Sequence, residues 1–286
     1  IRVIFDLALN HTSSEHMWFQ DARENKYSPY RDYYIWDSTN TKYSKARLLF
    51  KGIVDSNWSF NPQTSDYYFH RFYFFQPDLN YKNPNVMLEM IKIVLFWKEK
   101  GIDGFRLDAI PFLWKKEDTQ CENLKETHYI IKLFRAVLDA IDESSFLIAE
   151  ANLKPKKVVE YFGKGDECHS AYHFPLMTKF YLALAESNYI HIEKTLSEEI
   201  TPSIPQNCNW ITFLRCHDEL TLEFVTPKER EKINSYYLKD TQWRFREGEG
   251  ISSRLYSLLG GDVNKILLMY SLLFSIEGSP IIYYGD

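Results

Sequence analysis

At 286 residues the chain is long enough for one large barrel or two ordinary domains. Its 45% hydrophobic and 26% charged residues are those of a globular protein with a large core, and its net charge of −5 offers no basic surface to nucleic acid. No apolar run reaches the roughly 20 residues that cross a bilayer, so neither a nucleic-acid nor a membrane partner is expected.

The chain opens in a strand-like run, Val3–Leu9, which suggests a fragment that starts inside a larger fold. Residues 11–85 follow, dense in Tyr, Trp, Asp and Asn and too long for a plain connection, so they read as an irregular subdomain inserted after the first strand. Beyond them, helical patterns at Val86–Lys100, Leu124–Asp142, Lys156–Phe162, Leu176–Glu186 and Val263–Ile276 alternate with strand candidates. The strands are Gly104–Asp108, Phe146–Glu150, Ala171–Phe174, Trp210–Arg215 and Pro280–Tyr284. Met90, Ile91, Val94, Leu95 and Trp97 share one helical face. This alternation predicts βαβ units with a parallel sheet, an α/β fold. A second long segment, Asp218–Gly261, carries a helical pattern at Pro227–Tyr237. Ile266–Ile276, the most apolar stretch, reads as a buried helix. The cysteines Cys121, Cys168, Cys208 and Cys216 are widely spaced and form no CxxC pair, which points to a reduced, cytoplasmic protein.

Four strand ends carry polar residues out of apolar runs: Asp6-Leu7-Ala8-Leu9-Asn10-His11, Arg106-Leu107-Asp108-Ala109, Ala149-Glu150-Ala151-Asn152 and Arg215-Cys216-His217-Asp218. Alternate strand residues point to one side, so Arg106 and Asp108 can share the sheet's polar mouth, with Arg106 holding Asp108 ionised as a nucleophile requires. A structural ion pair would leave the same pattern. Glu150 follows four apolar residues, and partial desolvation there suits a general acid; a helix-capping glutamate is the bland alternative. His11 and His217-Asp218 are each weak alone. Carboxylates recurring at successive strand ends, with an arginine, match retaining glycoside chemistry. One carboxylate attacks the anomeric carbon while another, about 5–5.5 Å away, protonates the leaving oxygen.

These four blocks, in this order, resemble the signature regions of the α-amylase family, glycoside hydrolase family 13. Gln76-Pro77-Asp78-Leu79-Asn80 resembles its fifth region, and Gly278-Ser279-Pro280-Ile281-Ile282-Tyr283-Tyr284-Gly285-Asp286 its eighth strand. The resemblance implies a (β/α)₈ TIM barrel, incomplete here and running from the third to the eighth strand. Residues 1–11 and 86–286 would form the barrel, and residues 12–85 a domain-B-type insert after the third strand. It implies Asp108 as nucleophile, Glu150 as acid/base and Asp218 as transition-state-stabilising carboxylate, with His11, Arg106, His217 and Gln76 contacting substrate. No cofactor is required for the chemistry. Asn10 matches an asparagine that binds calcium in many members, which makes it a candidate ligand of a structural calcium. Cys216 departs from the usual asparagine.

Cys121-Glu122-Asn123-Leu124-Lys125-Glu126-Thr127-His128, Gln76–Tyr81 and Phe213–Glu223 resemble the branch of trehalose synthases, which interconvert maltose and trehalose. Ala109, where relatives that cut α-1,6 links carry valine, favours α-1,4 or α,α-1,1 substrates. The expected partner is therefore a small sugar, maltose or trehalose, with a maltose kinase fused or associated. The aromatic insert (Trp18, Phe19, Tyr33, Tyr34, Trp36) reads either as a lid or as the insert's own core. The expected activity belongs to a longer protein, this fragment alone being inactive. The rivals are an α-glucosidase or transglucosidase and a non-catalytic glycosidase-like scaffold, the latter disfavoured because Asp108, Glu150 and Asp218 all remain.

Overall fold

A computed structural model describes all residues, 1–286. The chain divides into two compact units, Ile1–Ala151 with Asp166–Cys168, and Asn152–Gly165 with His169–Asp286. No helix is long and apolar enough to cross a membrane.

The first unit begins with β1 (Ile4–Ala8). The following segment holds α1 (Met17–Glu24), β2 (Trp36–Asp37), β3 (Trp58–Asn61) and β4 (Asp66–Phe69). The three strands form an antiparallel sheet in the order β2-β4-β3, so the insert is more regular than its composition suggests. Strands of two to four residues are too short to display a period-2 pattern, and cross-strand pairing makes them visible. The insert's aromatic rings pack mainly on one another. Phe19 stacks on Trp36 at 5.7 Å and meets Tyr34 edge-on at 5.0 Å, while Trp18 meets Tyr33 at 5.2 Å. Phe19, Tyr33 and Tyr34 are buried, so these three rings serve as core of the first unit.

After the insert come α2 (Pro84–Glu99), β5 (Gly104–Asp108), α3 (Lys125–Ile141) and β6 (Phe146–Ala149). Asn83 caps α2 and Pro84 opens it, a pairing that suits a helix start because proline has no N–H to satisfy. Helix α2 buries Val86, Met90 and Val94, spaced by four, and α3 buries Ile130, Ile131, Phe134 and Leu138. β1, β5 and β6 are parallel, in that order. Gly104 is required by β6: a Cβ there would lie 2.2 Å from the Phe146 carbonyl oxygen.

The second unit holds α4 (Pro155–Val158), β7 (Ser170–Tyr172), α5 (Phe174–Glu186), α6 (Ile190–Leu196), β8 (Asn209–Phe213), β9 (Leu220–Thr221) and α7 (Pro227–Tyr237). It continues with β10 (Arg244–Phe245), β11 (Gly250–Ile251), α8 (Leu255–Leu258), α9 (Val263–Ser275) and β12 (Ser279–Ile281). β7, β8 and β12 are parallel, and β10, β11 and β9 form a small antiparallel sheet. With the three in the first unit, the parallel strands number the six that the alternation predicted.

Three expectations need correction. The strand expected at Ala171–Phe174 stops at Tyr172, because Phe174 already begins α5 with Pro175 in its first turn. The pattern at Lys156–Phe162 is one turn of α4 continued by a 3₁₀ turn, Val159–Phe162. Helix α9 is not buried: Met269 and Leu273 are inside, but Val263, Leu267, Leu268 and Phe274 are exposed. Its strand, β12, pairs only with β8, so one flank of α9 has no neighbour to cover its apolar residues.

His173 caps α5 from a buried position. Its Nδ1 accepts the Leu176 N–H at 3.1 Å, and its Nε2 lies 2.9 Å from Thr201 Oγ1, whose own hydroxyl donates to the Thr195 carbonyl. Burial pushes the imidazole down from 6.5 to about 4. The unfolded chain therefore binds a proton between pH 6.5 and 4 that the folded chain refuses. The contribution of this neutral histidine is complete above pH 6.5 and disappears as pH falls towards 4, amounting to roughly 3 kcal/mol. Denaturant titrations across that window should show a shallower pH slope for His173→Asn, which keeps a capping side chain but does not titrate. An unchanged slope would remove His173 from the account.

Candidate active site

The polar residues of the first unit stand in two levels set by strand register. Asp6 pairs with Arg106 and Ala8 with Asp108 across β1 and β5, while Leu107 pairs with Ala149 across β5 and β6. One step further, the Glu150 N–H bonds the Leu107 carbonyl at 3.1 Å, which brings Glu150 level with Asp108 on the adjacent strand. Neighbouring strands lie about 4.8 Å apart, so Asp108 and Glu150 leave the sheet side by side at one level. Ala8, with only a methyl group, leaves room on the other side of Asp108.

Arg106 sits beneath them and holds three carboxylates. Its Nη1 donates to both oxygens of Asp6 at 2.5 Å and to Asp108 Oδ1 at 3.2 Å, and its Nη2 pairs with Glu150 Oε1. The guanidinium side chain is 11% exposed, against 28% for Asp108 and 13% for Glu150. Burial acts to lower its pKa, but the Glu150, Asp6 and Asp108 carboxylates outweigh burial and raise it, so the arginine stays a fixed cation. The expectation that Arg106 accompanies Asp108 holds in the geometry, and the arginine also reaches Glu150.

The residue after Asp108 turns the chain. Ala109 has φ 53°, the left-handed region that non-glycine residues rarely enter. That turn ends the strand at Asp108 and aims the Ala109 N–H at Glu150 Oε2, 3.3 Å away. Two donors, one from Arg106 and one from the backbone, thus orient the Glu150 carboxylate.

His11 lies beyond the end of β1, with its ring near two amides: Gln76 Nε2 is 3.1 Å from His11 Nε2, and Asn10 Nδ2 is 3.5 Å from His11 Nδ1. Burial lowers its pKa, opposed by the Asp78 and Asp108 carboxylates. His11 and Gln76 also line a cleft of about 500 Å³ with Thr12, His16, Trp18 and Phe75. The resemblance assigns Asn10 to calcium, but the donor set does not fit that ion. Asn10 Oδ1 accepts from the Lys115 ammonium at 2.8 Å, and the same ammonium lies 2.7 Å from Asp78 Oδ2.

In the second unit His217 and Asp218 stand together, exposed, with His217 Nε2 3.5 Å from Asp218 Oδ2. Their loop is fixed through its carbonyls. Arg254 donates to those of Cys216 at 3.0 Å, His217 at 2.9 Å and Asp218 at 3.2 Å, and Arg215 Nη2 donates to that of Asp218 at 2.6 Å. Two arginines therefore rigidify a segment whose side chains stay open. Glu219, next to Asp218, is half-buried; desolvation pushes its carboxyl up, partly offset by its own backbone N–H and by Arg246, 3.3 Å away.

Asp6, Asp78 and Lys115 were not assigned roles from sequence. Asp6 and Asp78 lie inside blocks already singled out, and their alternation with Ala8 and Asn80 was the available signal. Lys115 follows an apolar run with nothing to mark it.

The comparisons with known proteins agree with this architecture. The model of the family described as Alpha amylase, catalytic domain, matches residues 1–286. The trehalose synthase/amylase TreS of Mycobacterium tuberculosis is 48% identical over 290 residues, covering all of this chain and 48% of that protein. The trehalose synthase of Thermus thermophilus is 46% identical, again over all of this chain and over 29% of its own length. The chain spans about half the length, or less, of these curated relatives. Among solved structures, the α-amylase from H. orenii aligns with all of the chain and 50% of its own at TM-score 0.73 and 25% identity. Sucrose 6F-phosphate phosphorylase from Thermoanaerobacter thermosaccharolyticum aligns with 99% of the chain and 61% of its own at TM-score 0.80; at 19% identity this likeness speaks for the fold alone. From the parallel strands with polar ends, the full-length family match and the identity to these relatives, it follows that this chain belongs to the α-amylase family.

Proposed function

We propose that this chain carries the nucleophile and acid/base of a retaining α-glucosyl-transfer enzyme, which in the intact protein isomerises maltose to trehalose. The observation that carries the reading is Arg106 bonded at once to Asp108 and Glu150, on adjacent strands at one level. Asp108 attacks the anomeric carbon of the non-reducing glucose of maltose, and the C1–O4′ bond breaks as Glu150 gives its proton to the departing O4′. The released glucose then presents its anomeric hydroxyl; Glu150 removes that proton while the oxygen displaces Asp108, leaving an α,α-1,1 link. Asp218 supplies the third carboxylate, favouring the positive charge of the transition state, and His11, His217 and Gln76 contact sugar hydroxyls. The isomerase reading is supported by the identity, along the whole of this chain, to proteins named trehalose synthase.

Isomerisation requires that water be excluded while the glucosyl-enzyme lives. Incubating the intact protein with maltose and separating the products decides the matter. Trehalose as the main product is expected; glucose without trehalose would replace the isomerase with an α-glucosidase. No turnover of any α-glucoside would return the scaffold reading.

A further inference from the structure

A buried polar cluster below His11 is left unused by this chemistry. Asn10 and Asp78 are fully buried, and Lys115 is 3% exposed. Lys115 Nζ lies 2.8 Å from Asn10 Oδ1 and 2.7 Å from Asp78 Oδ2. The other Asp78 oxygen accepts the Arg71 backbone N–H at 2.8 Å. The Asn10 carbonyl accepts the Leu79 N–H at 2.8 Å. The side-chain oxygens of Asn10 and Asp78 and the Asn10 carbonyl thus each already lie 2.7–2.8 Å from a nitrogen.

Calcium takes six to eight oxygens at about 2.3–2.6 Å, several of them from carboxylates. Here a primary ammonium, with three donors, stands at hydrogen-bond distance from the two side-chain oxygens such an ion would need. The local charge is already positive, with Lys115, Arg71 and Arg47 against the Asp78 and Glu122 carboxylates. The Arg71 guanidinium is fully buried beside Glu122, at 3.5 Å, and Arg47 pairs with the same carboxylate at 3.1 Å. A dication added here would stand against Lys115 and Arg71 with no carboxylate left to meet it.

We propose that the Lys115 ammonium takes the structural place of the divalent cation at this position, so that the protein needs no metal there. The lysine joins the strand end that bears Asn10 and His11 to the insert's final segment, which bears Asp78. It also orients Asn10: with Oδ1 held by Lys115, the amide NH₂ turns towards the His11 ring. Lys115 is in this sense a positioning residue for His11.

The test measures thermal unfolding and bound metal in the intact protein. After exhaustive dialysis against EDTA, the wild type is expected to hold less than one calcium per chain and to unfold at the same temperature with EDTA or millimolar calcium. A fall of several degrees in EDTA, or stoichiometric calcium surviving dialysis, would overturn the proposal. Lys115→Met leaves Asp78 buried without its cation and should lower the unfolding temperature by roughly 5–10 °C. If Lys115→Met matches the wild type in EDTA, no cation is needed at this place and the proposal falls. Lys115→Glu, which restores a carboxylate to the donor set, should gain a calcium-dependent rise in unfolding temperature that the wild type lacks. A folded Lys115→Glu chain that ignores calcium would also count against the equivalence of lysine and metal. None of these readouts depends on maltose turnover, so the glucosyl-transfer reading can fail or stand separately.

Discussion

Asp108→Ala in the intact protein is expected to lower maltose turnover by on the order of 10⁴–10⁶-fold, the usual loss when a covalent nucleophile is removed. The effect should fall on kcat, because the bond proposed between Asp108 and the anomeric carbon forms only as the reaction proceeds. Asp108 is partly exposed at the end of β5, and its ion pair with Arg106 is only one of three that the arginine makes. The variant should therefore fold, with an unfolding temperature close to that of the wild type. A variant that keeps a tenth of the activity, measured as trehalose formed from maltose, would remove Asp108 from the nucleophile's role.

Arg106→Met should be the most damaging change to structure and chemistry together. It leaves Asp6, Asp108 and Glu150 facing one another without the cation that all three touch. Breaking a buried charge pair by removing one partner costs about 3–5 kcal/mol, and the unfolding free energy should fall by that order. Arg106→Lys keeps the charge but not the planar fork, and should restore the unfolding free energy more than it restores kcat. An unfolding free energy unchanged in Arg106→Met would remove the arginine from this account.

Much of the site was legible because strands obey a simple rule. Side chains alternate, so Arg106 and Asp108, two apart, had to share a face. The six parallel strands were equally readable, since each is an apolar run bounded by polar residues. The insert's short strands were not, because β2, β3 and β4 are too brief to show a period. Nor could composition decide whether its aromatic residues form a lid or a core; Phe19, Tyr34 and Trp36 settle together only through contacts between distant turns.

What the sequence determined by itself is local: which runs become strands, and which charged residues follow them. Those outcomes follow from backbone geometry and from the demand that apolar residues leave water. What the tertiary structure decided is who meets whom. Asp6 reaches Arg106 across 100 positions, and Lys115 reaches Asn10 across 105. Strand register and burial fix those pairs, because a charge removed from water must find its partner in space, wherever that partner lies along the chain.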